Sequence, residues 1–256
     1  MKPALVFPYN DPDGMMFPHL QNILPDLKDH FDHAYIAPPL STFEWFQQKK
    51  LILADTFFTV FPTADELPIG KQFAELYQHA STKAPAAQAL HLCFPDRLCF
   101  ALETNYRESF LADIDALSVT DLPLVFERST YAWETHPQNY RELEGFVTTV
   151  GKNLFGRELD YAWCHLVVQA SQLKEIIPHV KNLNISMVAE IIYYLQSEVN
   201  ARAVDWLAWE DPFIFERDAK ELKLERENSL AETNKRLNYV LPMLETLTRL
   251  SRSGNQ

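Results

Sequence analysis

The sequence predicts an α/β protein: a mostly parallel β-sheet covered by helices on both faces, followed by a C-terminal helical tail. Short apolar runs alternate with segments of helical periodicity from the N-terminus onward, the order that crossover connections impose on a parallel sheet. Turn residues end those runs, as expected of strands buried on both faces. Apolar residues make up 47% and charged ones 23% of the 256, which is enough to build a core and lacks the depletion that marks disorder. One domain over 1–215 with a helical extension over 216–256 packed on it accounts for the length.

The first strand is read at 4–8 (Ala-Leu-Val-Phe-Pro), and Asn-Asp-Pro-Asp-Gly after it is a turn. Met16, Leu20, Ile23, Leu24, Leu27 and Phe31 recur at helical spacing, and Pro25 predicts a kink or a division into two short helices. Strands at 33–37 and 55–61 flank a helix at 43–49, and a helix at 69–80 precedes a strand at 89–94. A helix at 106–117, a strand at 122–126 and a helix at 138–154 follow, the last ending before Gly156 as a helix C-terminus does. The apolar run 163–168, a helix over 185–199 capped by Asn184, and a strand at 204–209 complete the body. Ser229 and Glu232 have capping-box spacing. The helix after them carries a stripe of Leu237, Val240, Leu241, Leu244, Leu247 and Leu250, with Pro242 predicted to kink it. That stripe is an intramolecular packing face or, if exposed, a surface for homodimer formation.

A net charge of −12 without any basic run argues against nucleic acid, whose binders cluster Lys and Arg. No apolar stretch reaches the roughly 18 residues of a membrane span, and the N-terminal apolar segment is short for a signal peptide, so a cytoplasmic protein is expected. Cys93, Cys99 and Cys164 are odd in number and show no CxxC spacing, which indicates neither a disulfide framework nor a zinc site.

Open parallel sheets bind ligands beyond the carboxyl ends of their strands, and polar groups are dense there. Tyr9, Asn10, Asp11 and Asp13 follow the first strand; they are either ligand-binding groups or simply a tight turn. Asp96 and Arg97 follow the fourth, where a carboxylate can hold a divalent cation and a guanidinium can neutralise a diphosphate, or where the pair caps a helix. The stretch 127–142, read as one loop before a helix, contains Arg128, Trp133, Glu134 and His136, a mixture suited to a polyhydroxylated ligand, although Trp133 and His136 equally suit core and cap positions. Glu210 and Asp211 end the last strand. Glu210 is the chosen acid–base residue, because adjacent strand residues face opposite ways and both acids serve one site only if the strand has ended. Neither GxGxxG nor GxxxxGK[ST] occurs, and no GxSxG or HExxH is found.

Leu-Val-Phe-Pro-Tyr-Asn-Asp at 5–11 resembles the first strand and loop of GT-A-type nucleotide-sugar glycosyltransferases. The β-α order through Asp96 and the helix and strand at 185–209 are similar by pattern over about 200 residues. The resemblance implies a transferase with a nucleotide-sugar donor held by Tyr9, Asn10, Asp11, Asp13, Arg97, Arg128, Trp133 and Glu134. It further implies Mg²⁺ or Mn²⁺ at Asp96, and Glu210 or His136 beside the acceptor. Phe-Pro-Asp-Arg at 94–97 keeps one acid where the family has two, so Arg97 is an alternative charge for the diphosphate. Two other readings are a non-catalytic GT-A-like interaction module and a nucleotidyltransferase; the latter is disfavoured by the absence of a Gly-rich, Lys-bearing first loop.

Overall fold

A computed structural model describes residues 1–49 and 55–253; residues 254–256 of the expected tail lie outside the described ones. Seven strands form one sheet in the order β3-β2-β1-β4-β6-β5-β7. They are β1 (Ala4–Pro8), β2 (Ala34–Ala37), β3 (Phe58–Val60), β4 (Ala89–Leu92), β5 (Leu124–Arg128), β6 (His165–Gln169) and β7 (Asn200–Val204). All neighbours are parallel except that β6 runs antiparallel to β4 and β5. The expected architecture is therefore present, with one reversed strand. That reversal brings the start of β6 to the edge where β4 and β5 end.

Helices cover both faces. One face carries α1 (Phe17–His30), α2 (Leu40–Lys49) lies between β2 and β3 in the chain, and α3 (Ile69–Lys83) packs on the opposite side. Next come α4 (Pro95–Glu103), α5 (Arg107–Asp115), α6 (Thr130–Thr135), α7 (Gln138–Phe155), α8 (Ala170–Ile176) and α9 (Met187–Leu195). The chain ends with α10 (Asp211–Ile214), α11 (Ala219–Glu227) and α12 (Leu230–Ser253). Leu20, Ile23 and Leu27 of α1 join Leu98, Phe110 and Trp206 in one core layer. Phe73, Leu76, Val147, Ile191 and Leu247 form the other.

Several expectations are corrected. One helix, α1, runs through Pro25 instead of two short ones. The proline removes a hydrogen bond to the Gln21 carbonyl, and both residues are exposed, so the freed group lies at the solvent side, where the lost bond costs least. Pro242 likewise lies inside one helix, α12, and the carbonyl it leaves without an N–H partner belongs to the exposed Asn238. The last strand is β7 at 200–204, not 204–209. Its Asn-Ala-Arg-Ala sequence lies on an exposed sheet edge and has no apolar signature, whereas Trp206 and Leu207, in a 3-10 turn, plug the core against Phe110 and Phe126. Stretch 127–142 is mostly helical, and α4 and α8 are helices not assigned from sequence. Asn184 accepts from Ser186 N and Oγ one turn before α9 and is not its N-cap.

Two glycines are dictated by geometry. Gly156 ends α7 with φ +73°, the left-handed conformation that glycine adopts without steric cost. Gly70 donates its N–H to Leu183 O, and a Cβ there would stand 2.6 Å from the Asn184 backbone, so only glycine lets α3 approach that segment. Of the α12 stripe, Val240, Leu247 and Leu250 are buried together with Met243, whereas Leu237 and Leu244 are half-buried and Leu241 is exposed; the buried side packs against α7 and α9.

Candidate active site

A cavity of about 290 Å³ opens at the edge where β4 and β5 end and β6 begins. Its size is at the lower end of small-molecule pockets. Asp96 and Arg97 of α4 line it together with Glu210 and Asp211 at the start of α10. Strand β7 has already ended at Val204, so the rule that adjacent strand residues face apart no longer applies and both acids reach one space.

Arg97 is held from several sides. It forms an ion pair with Glu210, and its Nη1 donates to the Ala208 carbonyl at 3.3 Å. His136 is buried, and its Nδ1 lies 2.8 Å from the Ala132 carbonyl. That contact makes Nδ1 the protonated nitrogen and leaves Nε2 to accept from Arg97 at 3.4 Å. Burial first, then the Arg97 and Arg128 charges, hold His136 well below the usual histidine range. It is a neutral support for Arg97 and lies outside the cavity lining.

Glu210 is pushed up to about 8 by burial, with Asp96 and Asp211 adding to the shift and Arg97 opposing it. A carboxyl raised toward that range exchanges its proton readily, pairing with Arg97 when ionised and able to take a proton from an acceptor, as acid–base catalysis needs. Burial raises Asp96 as well, and its Oδ1 accepts the Arg97 backbone N–H at 2.9 Å. A divalent cation at Asp96 finds a poor donor set, since no group of three or more His, Cys, Asp or Glu side chains among the described residues suits a metal.

The other sequence candidates fall elsewhere. Tyr9 and Asp11 are buried: the Tyr9 hydroxyl donates to Asp11 Oδ2 at 2.9 Å, and the same oxygen accepts from Met16 N and Phe17 N at the start of α1. Asp11 thus ties the turn to the helix. Asn10 and Asp13 are exposed and outside the cavity lining. Arg128 is buried in a bidentate pair with Asp160, both bonds 3.0 Å, and also meets Glu144. Its guanidinium covers the Trp133 ring at 3.7 Å. Glu134 is exposed and takes part through its carbonyl, which accepts from Lys223 Nζ. The stretch 127–142 therefore braces the site from behind.

Sequence reasoning missed the opposite wall, where Glu144 of α7 and Lys235, Arg236 and Tyr239 of α12 line the cavity. The available signal was Arg236, which falls in helical register with the apolar positions Val240, Met243 and Leu247 and so had to face inward. Cys164, also in the lining, is pushed up to about 11 by burial and is a protonated thiol.

No known protein family matches the chain, and no curated protein matches it. Solved structures do. The crystal structure of 4-diphosphocytidyl-2C-methyl-D-erythritol synthase is similar at 14% identity, over 87% of this chain and 97% of that one, with a TM-score of 0.47. At that score the likeness carries no inference about activity. No helix among the described residues is long and apolar enough to cross a membrane.

Proposed function

We propose that the cavity is the active site of a transferase that takes a nucleotide-linked sugar as donor, with Arg97 at the departing diphosphate and Glu210 as the base that receives the acceptor's proton. One observation carries the reading: Asp96, Arg97 and Glu210 share a single buried cavity at the carboxyl edge of the sheet, with Glu210 raised into the range of a working base. A guanidinium beside the leaving group stabilises charge that develops there, and a low-dielectric wall strengthens the effect. Glu210 is preferred to His136, whose two nitrogens are already engaged by Ala132 and Arg97.

The test is calorimetric titration with a panel of nucleoside diphosphates and their sugars, followed by turnover assays on whichever binds. Glu210→Gln is expected to retain binding and to lower kcat by about 10²–10⁴-fold. The wild-type rate is expected to rise with pH through about 8, as Glu210 loses its proton. Absence of binding by every member of the panel would end the proposal.

A further inference from the structure

We propose that Arg97, Lys235 and Arg236 form a phosphate-binding wall, so that the anionic part of the ligand is held by protein cations with no divalent metal; this rests on the transferase reading above. The three cations come from α4 and α12, more than a hundred residues apart in the chain, and line one cavity. The same lining holds four carboxylates, of which Glu210 meets Arg97, Glu144 meets Arg128 and Arg236, and Asp211 faces Arg226. Phe94, Trp163 and Met243 supply apolar lining beside them, which raises the strength of any ionic contact made there.

Two of the cations are preorganised and keep donors to spare. Arg236 Nη1 donates to Glu144 Oε1 at 2.6 Å and its guanidinium covers the Tyr140 ring at 3.7 Å. Its buried Nε makes no hydrogen bond among the described residues. A guanidinium has five N–H groups in a fixed fork, so one carboxylate does not exhaust it. Arg97 is fixed by Glu210, Ala208 and His136. Lys235 is exposed and lines the cavity. Among the described residues it has neither a hydrogen bond nor an ion pair, which leaves its three donors for an incoming anion. The carboxylates nearest the metal expectation are otherwise occupied: Asp96 accepts the Arg97 backbone N–H, and Glu210 meets the guanidinium of the same residue.

The experiment titrates the full chain with inorganic pyrophosphate in EDTA, and again with Mn²⁺, by calorimetry at low and high salt. Pyrophosphate is expected to bind in EDTA, with no gain from Mn²⁺ and weaker binding at high salt. Lys235→Ala, at an exposed position that should not disturb folding, is expected to weaken binding by about tenfold, and Lys235→Arg to restore most of it. Binding that requires Mn²⁺, unchanged affinity in Lys235→Ala, or no pyrophosphate binding under either condition overturns the phosphate wall. If pyrophosphate fails while nucleotide sugars bind, the transferase reading survives without it. If pyrophosphate binds as expected and no nucleotide sugar does, the wall stands and the donor assignment falls.

Discussion

Asp11 shows how one carboxylate can satisfy a motif and still be structural. Its Oδ2 accepts three hydrogen bonds, from Tyr9 Oη and from the Met16 and Phe17 amides, so a ligand would have to displace bonds that hold the turn to α1. Asp11→Ala is expected to lower unfolding free energy by about 1–3 kcal/mol in urea titration while leaving affinity at the cavity unchanged. A variant that stays folded but loses ligand would move the site back to the first loop. Glu210 is the converse case. Its sequence neighbourhood, two acids before a proline, looks like a solvated turn, and burial against Arg97 and Asp96 is what gives it chemistry.

At the scale of elements, α12 has two jobs. Its apolar stripe closes one core layer against α7 and α9, and its first turns carry Lys235, Arg236 and Tyr239 to the cavity. Leu247 is fully buried, whereas Leu241 is 52% exposed. Leu247→Ala is therefore expected to cost about 2–5 kcal/mol by chemical denaturation, and Leu241→Ala less than about 0.5 kcal/mol. The reverse ranking, with stability that depends on protein concentration, would make the stripe an intermolecular surface. The capping box read at Ser229 is half formed. Ser229 Oγ accepts the Glu232 amide at 3.2 Å, but the Glu232 carboxylate turns to Tyr140 and Arg226, which fastens the start of α12 to α7 and α11.

Across the whole molecule, the centre of the sheet holds a buried imidazole pair. His91 Nε2 and His165 Nδ1 are 2.9 Å apart on neighbouring strands, among Phe110, Phe126 and Trp206. Burial lowers His91 from 6.5 to about 3 and holds His165 well below its ordinary value. Both groups take up protons on unfolding, so their neutral state contributes stability that is intact above about pH 6.5 and is lost as pH falls toward the folded values. Each fully neutral histidine costs about 1.4 kcal/mol per pH unit below that point. His165→Gln, which removes one of the two titrations, is expected to make the decline in urea midpoint between pH 6.5 and 5 shallower. An equal slope would mean that carboxylates alone account for acid sensitivity.

The alternation of buried strands with amphipathic helices was legible without coordinates, because apolar runs and helical periodicity are local properties of the chain. So were the Gly156 helix end and the strand-end position of Asp96 and Arg97. The reversed direction of β6 was not legible, since an apolar run buried on both faces reads the same parallel or antiparallel. Nor was β7, whose polar edge sequence hides a strand while Trp206 beside it imitates one. The composition of the cavity was decided by the tertiary structure alone. Lys235 and Arg236 stand far along the chain from Arg97, and only the packing of α12 against α7 and α9 brings their charges to the mouth that Arg97 and Glu210 line.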